Sequence, residues 1–299
     1  MAKLPTTSLD SAVDAAADSA LAAGDTPHQQ RLEASLVQLE TLAADLLSDT
    51  EEEPAILDAW TCPPLDYTLP TSFLVSVVMP AYNEEATLAR IAGRVLQLPL
   101  PLELVMVDDC SRDATAEIMQ DLARNPAVRV FRHEQNQGKG AALRTGFQQA
   151  RGDVVIVQDA DLEYDPRDIV KVIRPLVEGT ADVAYGSRFL ANKHQDPSLL
   201  HRLGNRMLTT ASNLTTGLHL TDMETCYKAF RREVLADMTI QQNRFGFEPE
   251  ITAKVARRRY RLVEMPIRYH ARGYEEGKKI GIRDAFNALY CILRYGLAD

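Results

Sequence analysis

Residues 73–85, FLVSVVMPAYNEE, set an apolar run, interrupted only by Ser76, against a polar turn opened by Pro80. A strand covered on both faces of a sheet is apolar on both, so it reads as a continuous run and not as an alternation. The same arrangement returns at LELVMVDDCSRD, residues 102–113, and at VVIVQDADLE, residues 154–163. Stretches of helical periodicity separate the runs, and that succession predicts βαβ units around a mostly parallel α/β sheet flanked by helices. Strands are expected at Leu74–Met79, Leu102–Val107, Val128–Phe131, Val154–Gln158 and Asp182–Gly186, with helices near 84–96, 114–123, 139–150 and 167–177. Beyond Gly186 the clearest elements are helices at Leu199–Leu214 and Glu248–Arg258, a strand at Leu262–Pro266, and an amphipathic helix at Ile282–Leu297. On that last helix Ile282, Phe286, Leu289, Ile292 and Leu293 share one side.

The chain has 299 residues and a formal charge of −9, unevenly distributed. Residues 1–72 hold 13 Asp and Glu against Lys3 and Arg31, a net of −11, whereas the remainder carries 31 basic and 29 acidic residues. The acidic extension therefore differs from the slightly positive domain, a balance suited to phosphate-bearing ligands. Within the extension Leu32, Leu36, Leu39, Ala43 and Leu46 mark an amphipathic helix to about Leu47, either docked on the domain or serving a protein partner or self-association. Glu51–Glu53 and Pro54, Pro63, Pro64 and Pro70 read as linker. The expected division is an extension over 1–72, a catalytic domain over 73–280 and a terminal helix over 281–299. Four scattered cysteines form no metal-ligand pattern, and no leader-like or membrane-spanning run occurs, so a reduced, cytoplasmic protein is expected. A nucleic-acid partner is not expected.

Ligands of open parallel sheets bind beyond the carboxyl ends of the strands. Four predicted strands end in polar residues: Pro80–Glu85, Asp108–Ser111, Asp159–Glu163 and Gly186–Arg188. Asp159 and Asp161, two hard oxygen donors after an apolar run, suit Mg²⁺ or Mn²⁺ completed by substrate phosphates, although such residues can also cap a helix. Asp108 and Asp109 offer a carboxylate to a base or ribose, and Asp113 reads as the cap of the next helix. Gln137–Gly140 open a helix whose amino end, with Lys139, favours an anion. Neither the P-loop spacing nor a G-x-G-x-x-G turn is present.

Taken together, PAYNEE, VDDCSRD, NQGKGAALRTGF, QDADLEYDP and GSRF resemble, in order and spacing, the family 2 glycosyltransferases with the GT-A fold. The likeness is greater to the dolichyl-phosphate mannose synthase and polyprenyl-phosphate glycosyltransferase branch, and TDMETCYKAF, RFGFEPEITAKVARR, RLVEMPIRY and ARGYEEGKKIG agree with it. The resemblance implies that Pro80, Tyr82, Glu84 and Asp109 bind the nucleotide. It implies that Asp159 and Asp161 bind the metal with Glu163, where relatives often have Gln, and that Arg188, Arg272, Lys278 and Lys279 face phosphates. The implied reaction is inverting hexosyl transfer from a nucleotide sugar, with UDP-glucose preferred to GDP-mannose, to a polyprenyl or dolichyl phosphate at a membrane surface.

A phosphate acceptor is already anionic; a soluble hydroxyl acceptor would need a base, for which Asp222 or Glu224 is the candidate. Two other classes remain in view: a non-catalytic nucleotide-sugar scaffold, and a nucleotidyltransferase, which ordinarily has a Gly-rich basic loop where this chain has PAYNEE. The terminal helix, with Arg283 and Arg294, either lies on a membrane face or packs on the domain.

Overall fold

A computed structural model of the protein describes residues 61–191, 199–271 and 282–297. The helix expected up to Leu47, and Arg272, Lys278 and Lys279, lie outside the described residues. The chain runs β1 (Val75–Ala81), α1 (Leu88–Leu96), β2 (Leu102–Asp108), α2 (Thr115–Leu122), β3 (Val128–Arg132), α3 (Lys139–Gln149), β4 (Val154–Val157), α4 (Arg167–Val177) and β5 (Val183–Ser187). It continues through α5 (Arg188–Ala191), α6 (Leu199–Thr216), β6 (Lys228–Arg231), α7 (Arg232–Ala236), α8 (Phe247–Arg257), β7 (Leu262–Pro266) and α9 (Ile282–Leu297).

The seven strands lie in the order β3-β2-β1-β4-β6-β5-β7. All adjacent pairs are parallel except those made by β6, which runs against both β4 and β5. Every residue of β1 and β4 is buried, as expected of strands covered on both faces. The chain steps outward from β1 to β3 and returns to β4 on the other side of β1, so the topological switch point lies between β1 and β4. There β1 extends two residues past the expected end and takes in Pro80. The Gln158 amide donates to Val78 O (3.0 Å), so Val78 and Pro80 face the β4 side. Because β4 ends at Val157, the missing N–H of Pro80 deprives no strand of a bond.

Sequence periodicity did not reveal β6. Its four residues, KAFR, are two cations around two apolar residues, yet Lys228 is fully buried. Its Nζ donates to Met223 O (2.8 Å) and Thr225 O (2.7 Å) and lies 4.2 Å from the centre of the Tyr185 ring. Since β6 is reversed, its amino end meets the carboxyl edge of the other strands and delivers residues 221–227 there.

The terminal helix α9 buries Ala288, Cys291, Ile292 and Tyr295 against the domain, with Tyr295 O accepting from Arg257 Nη2 (2.6 Å). Phe286, Leu289 and Leu293, expected on the same side as Ile292, instead face outward. The helix therefore packs one apolar side on the domain and carries further apolar side chains outward. Residues 61–72, expected as linker, also pack on the domain. Leu65, Tyr67 and Leu69 touch the core, Tyr67 Oη donates to Val170 O (2.8 Å), and Arg174 pairs with Asp66 at 2.9 Å.

Protein beginning at Thr61 should therefore melt above protein beginning at Phe73. Three partly buried apolar side chains contribute roughly 3 kcal/mol at half the value of full burial, equivalent to a fall in Tm of about 6–12 °C for a domain of this size. Equal melting curves by differential scanning calorimetry would show that the segment adds nothing.

Candidate active site

The first two loops at the carboxyl edge are stitched to each other. Asn83, in the left-handed region at φ 53°, donates its amide to Ser111 Oγ (3.0 Å) and accepts the Arg112 amide on Oδ1 (2.9 Å). The Glu84 amide donates to Thr115 Oγ1 (2.8 Å), and Asp113 accepts the Thr115 and Glu85 amides (3.0 and 3.1 Å), although the cap position of α2 itself falls one residue later, at Ala114. Tyr82 and Glu84 are half-buried beside this seam, whereas Pro80 is buried within β1 and offers no side chain to a ligand.

Asp109 has a structural task. Its Oδ1 accepts from His133 Nδ1 (2.7 Å) and the Gln137 amide (2.9 Å), and its Oδ2 accepts from the Gly138 amide (2.7 Å). The amino end of α3, expected to favour an anion, is thus met by the protein's own carboxylate. Gly138 permits this at φ 98°, and a Cβ there would come within 2.5 Å of Asn243 O. Beside it, Arg132, His133, Glu134, Gln135 and Gln137 line a cleft of about 510 Å³.

Lys139 follows at the first turn of α3, and its Nζ lies 3.0 Å from both carboxylate oxygens of Asp159 and 3.4 Å from Glu248 Oε1. Burial works against the ammonium, but Asp159, Cys226 and Glu248 outweigh it and hold the lysine well above its ordinary pKa. Asp161 accepts the Glu163 amide (3.2 Å) around Leu162, which adopts φ 28°. Glu163 itself is held by Tyr269 Oη on Oε2 (3.1 Å) and by the His270 amide on its carbonyl (2.9 Å). Among the described residues no group of three or more His, Cys, Asp or Glu side chains gathers as a metal site. The set Asp159, Asp161 and Glu163 is therefore not assembled as three ligands. The donors present fit a hard cation that takes most of its oxygens from a diphosphate and water.

On the far side of the edge Arg188 grips Asp222 through Nε (2.7 Å) and Nη2 (2.8 Å), with its ring-stacking face 5.1 Å from the Tyr269 centroid. Asn205 Nδ2 of α6 adds a bond to Asp222 (3.0 Å). Burial pushes the Asp222 carboxyl upward, but Arg188 and these hydrogen bonds more than offset it and bring it below the ordinary carboxylate range. A carboxylate held so is a poor proton acceptor, which corrects the expectation that Asp222 could act as base. Glu224 differs: its Oε1 is buried without a hydrogen-bond partner, and burial together with the Glu248 charge pushes its pKa up to about 8.

The fold thus brings Tyr82, Glu84, Asp109, Lys139, Asp159, Asp161, Glu163, Arg188, Asp222 and Glu224 to one edge. Sequence reading missed His133, Asn205, Lys228 and Glu248. The FGFE stretch was a visible signal for Glu248, but nothing in it reveals a partner 109 positions earlier, at Lys139.

The profile of Glycosyl transferase family 2 matches residues 76–239, more than half the chain, and the protein belongs to that family. Among curated relatives, the undecaprenyl-phosphate 4-deoxy-4-formamido-L-arabinose transferase of Aeromonas hydrophila is 31% identical over 73% of this chain and 66% of the relative. The enzyme of the same name from Pseudomonas aeruginosa is 34% identical over 70% of this chain and 61% of the relative. The chain thus spans slightly less than two thirds of these relatives' lengths. They lie in the polyprenyl-phosphate branch, and their names carry a sugar other than the glucose or mannose expected from sequence. Glucosyl-3-phosphoglycerate synthase of Mycobacterium tuberculosis, solved with UDP, aligns at a TM-score of 0.61 and 21% identity over 80% of this chain and 88% of that one. The same protein with Mn²⁺, UDP-glucose and phosphoglyceric acid aligns at 0.59 and 20%, over 76% and 81%. These likenesses establish the GT-A fold.

The raised pKa of Glu224 makes wild-type stability pH-dependent. The folded chain binds this proton more tightly than the unfolded chain, whose ordinary value is 4.5, so the contribution is lost as pH rises toward 8. Glu224→Gln removes that dependence, so the Tm of the variant minus that of wild type should grow from about pH 5 to about pH 8 and then level. A difference constant with pH would exclude the raised pKa.

Proposed function

We propose that the protein transfers a sugar from a nucleoside-diphosphate donor to a polyprenyl phosphate at a membrane surface. The observation that carries this reading is on α6. Asn205 reaches Asp222 in the site while Leu203 and Met207, two residues to either side, are 57% and 65% exposed. Among the described residues every exposed large hydrophobic side chain lies on α5, α6 or α9, and no helix is long and apolar enough to cross a membrane. A lipid chain led along this face would bring its phosphate to the site edge. The names of the curated relatives support the same acceptor class.

In this reading Tyr82 and Glu84 lie along the nucleotide, and the loop clamped by Asp109 forms the floor beneath it. Asp159 and Asp161 would hold Mg²⁺ or Mn²⁺ with the donor diphosphate, where the cation stabilises negative charge on the leaving nucleoside diphosphate. The acceptor phosphate attacks the anomeric carbon from the opposite face, with inversion. Being anionic, it needs positioning more than deprotonation, so catalysis rests on orientation and electrostatics. The Arg188–Asp222 pair is a neutral, rigid wall at this end, and Glu224 with a pKa near 8 would serve a hydroxyl acceptor as base. That second reading rests on the unpartnered Oε1 of Glu224 alone.

Purified protein with Mn²⁺ is to be offered UDP-glucose, GDP-mannose and a nucleotide-activated 4-deoxy-4-formamido-L-arabinose, each with undecaprenyl phosphate, and the lipid product read by mass spectrometry. One donor should yield a lipid-linked sugar, and Asp161→Ala should lower that rate about 10²–10³-fold, the scale of losing one charge-stabilising group. Transfer to water-soluble hydroxyls only would favour the Glu224 reading, and undiminished transfer by the variant would remove Asp161 from the site.

Membrane seating is read separately. The protein should co-sediment with vesicles containing anionic lipid at low salt and release partly at high salt, because apolar insertion persists when charge is screened. Leu203→Glu together with Leu293→Glu should abolish sedimentation while leaving Tm within a few degrees. Retained binding by this pair would mean that α6 and α9 do not face lipid.

A further inference from the structure

Lys139 occupies an unusual position between two acids. Its ammonium is 3.0 Å from both oxygens of Asp159 and 3.4 Å from Glu248 Oε1, yet Glu248 Oε2 is buried and has no hydrogen-bond partner. The Glu248 side chain is 5% exposed. A buried carboxylate oxygen without a donor leaves its desolvation uncompensated, and such groups call for an explanation in a native structure.

The backbone at Lys139 is fixed on both sides. The Gly138 amide donates to Asp109 (2.7 Å) and the Ala141 amide to Asn243 O (3.1 Å), and the Gly138 Cα is packed against the 243 carbonyl. Only the side chain has freedom, and the four-carbon stem of lysine supplies it. A divalent cation on Asp159 and an ammonium in contact with both of its oxygens are like charges competing for the same donors. The ammonium has one acid within reach, and that acid has an oxygen waiting.

We propose that Lys139 is the resting counter-ion of Asp159, and that it moves its ammonium onto Glu248 when a divalent cation takes up Asp159. Lys139 neutralises Asp159 in the unliganded site, so that this half-buried carboxylate is not left unpaired. Glu248 is a positioning residue: it touches neither donor nor cation, and acts on cation affinity only through Lys139. The inference rests on the reading above in which Asp159 carries the cation.

The test is a double-mutant cycle on Mn²⁺ affinity, read from the electron paramagnetic resonance signal of free Mn²⁺ at saturating UDP and, in parallel, GDP. Wild type, Lys139→Met, Glu248→Gln and the double variant are compared at one pH. Glu248→Gln leaves the ammonium without a destination and should weaken Mn²⁺ binding about tenfold when Lys139 is present, but by less than about twofold in the Lys139→Met background. A loss of equal size in both backgrounds would show that Glu248 acts on the cation directly by its charge, and no loss in either would show that it does not act; each overturns the proposal. Should Glu248→Gln fail to fold, Glu248→Asp withdraws the carboxylate while preserving its charge, with the same expected pattern and the same overturning results. Wild type that binds no Mn²⁺ with either nucleotide would fail at the underlying reading, an outcome distinct from a measurable affinity without coupling.

Discussion

Lys228 carries a buried ammonium into the centre of the sheet, and the arrangement of the catalytic edge depends on it. Its bonds to Met223 O and Thr225 O close the turn that enters β6, and its place over the Tyr185 ring ties that turn to β5. Without this buried donor the two carbonyls would lose their partner in a region closed to water. The reversed strand between β4 and β5 requires the turn, and the turn sets Asp222, Glu224 and Cys226 at the edge where Asp159 and Arg188 arrive from the parallel strands.

Around this turn the interior holds an alternating series of charges. Lys139 faces Asp159 and Glu248, Arg188 faces Asp222, and Lys254 pairs with Glu250 at 2.5 Å. Burying an ion is costly unless it is paired and hydrogen-bonded, so such a series is weak evidence for added stability. It is better understood as a site whose charges are balanced before any ligand arrives. Where the balance is incomplete, at Glu224 and Glu248, a buried oxygen lacks a donor, and at Glu224 burial together with the Glu248 charge pushes the carboxyl upward. Perturbed groups of that kind concentrate at functional sites.

The helical layer of α6, α8 and α9 faces two environments. Asn205 and Thr209 of α6 turn inward, and Thr209 Oγ1 accepts the Met223 amide at 3.1 Å, while Leu203, Met207 and Leu214 turn outward. The packing of α9 on this layer buries one apolar stripe and leaves another exposed. A soluble domain seldom leaves several large apolar side chains grouped on one face.

The sequence alone determined the parallel core. The runs ending in PAYNEE, VDDC and QDAD are apolar on both strand faces, and their order fixes which polar turns meet at one edge, because strand direction is a local property of βαβ units. The terminal helix was legible for the same reason, its periodicity being intrinsic to its own residues. Tertiary structure decided the rest. KAFR has no strand signature because its lysine is satisfied by carbonyls and a ring outside the strand. Asp109 reads as a ligand until the amides of Gln137 and Gly138 are seen to claim its oxygens. Asp222 and Glu224 stand two residues apart in one motif, yet one is gripped by Arg188 and the other keeps an unpartnered oxygen. Their difference comes from partners distant in sequence, since burial, charge pairing and protonation are fixed by what surrounds a side chain in space.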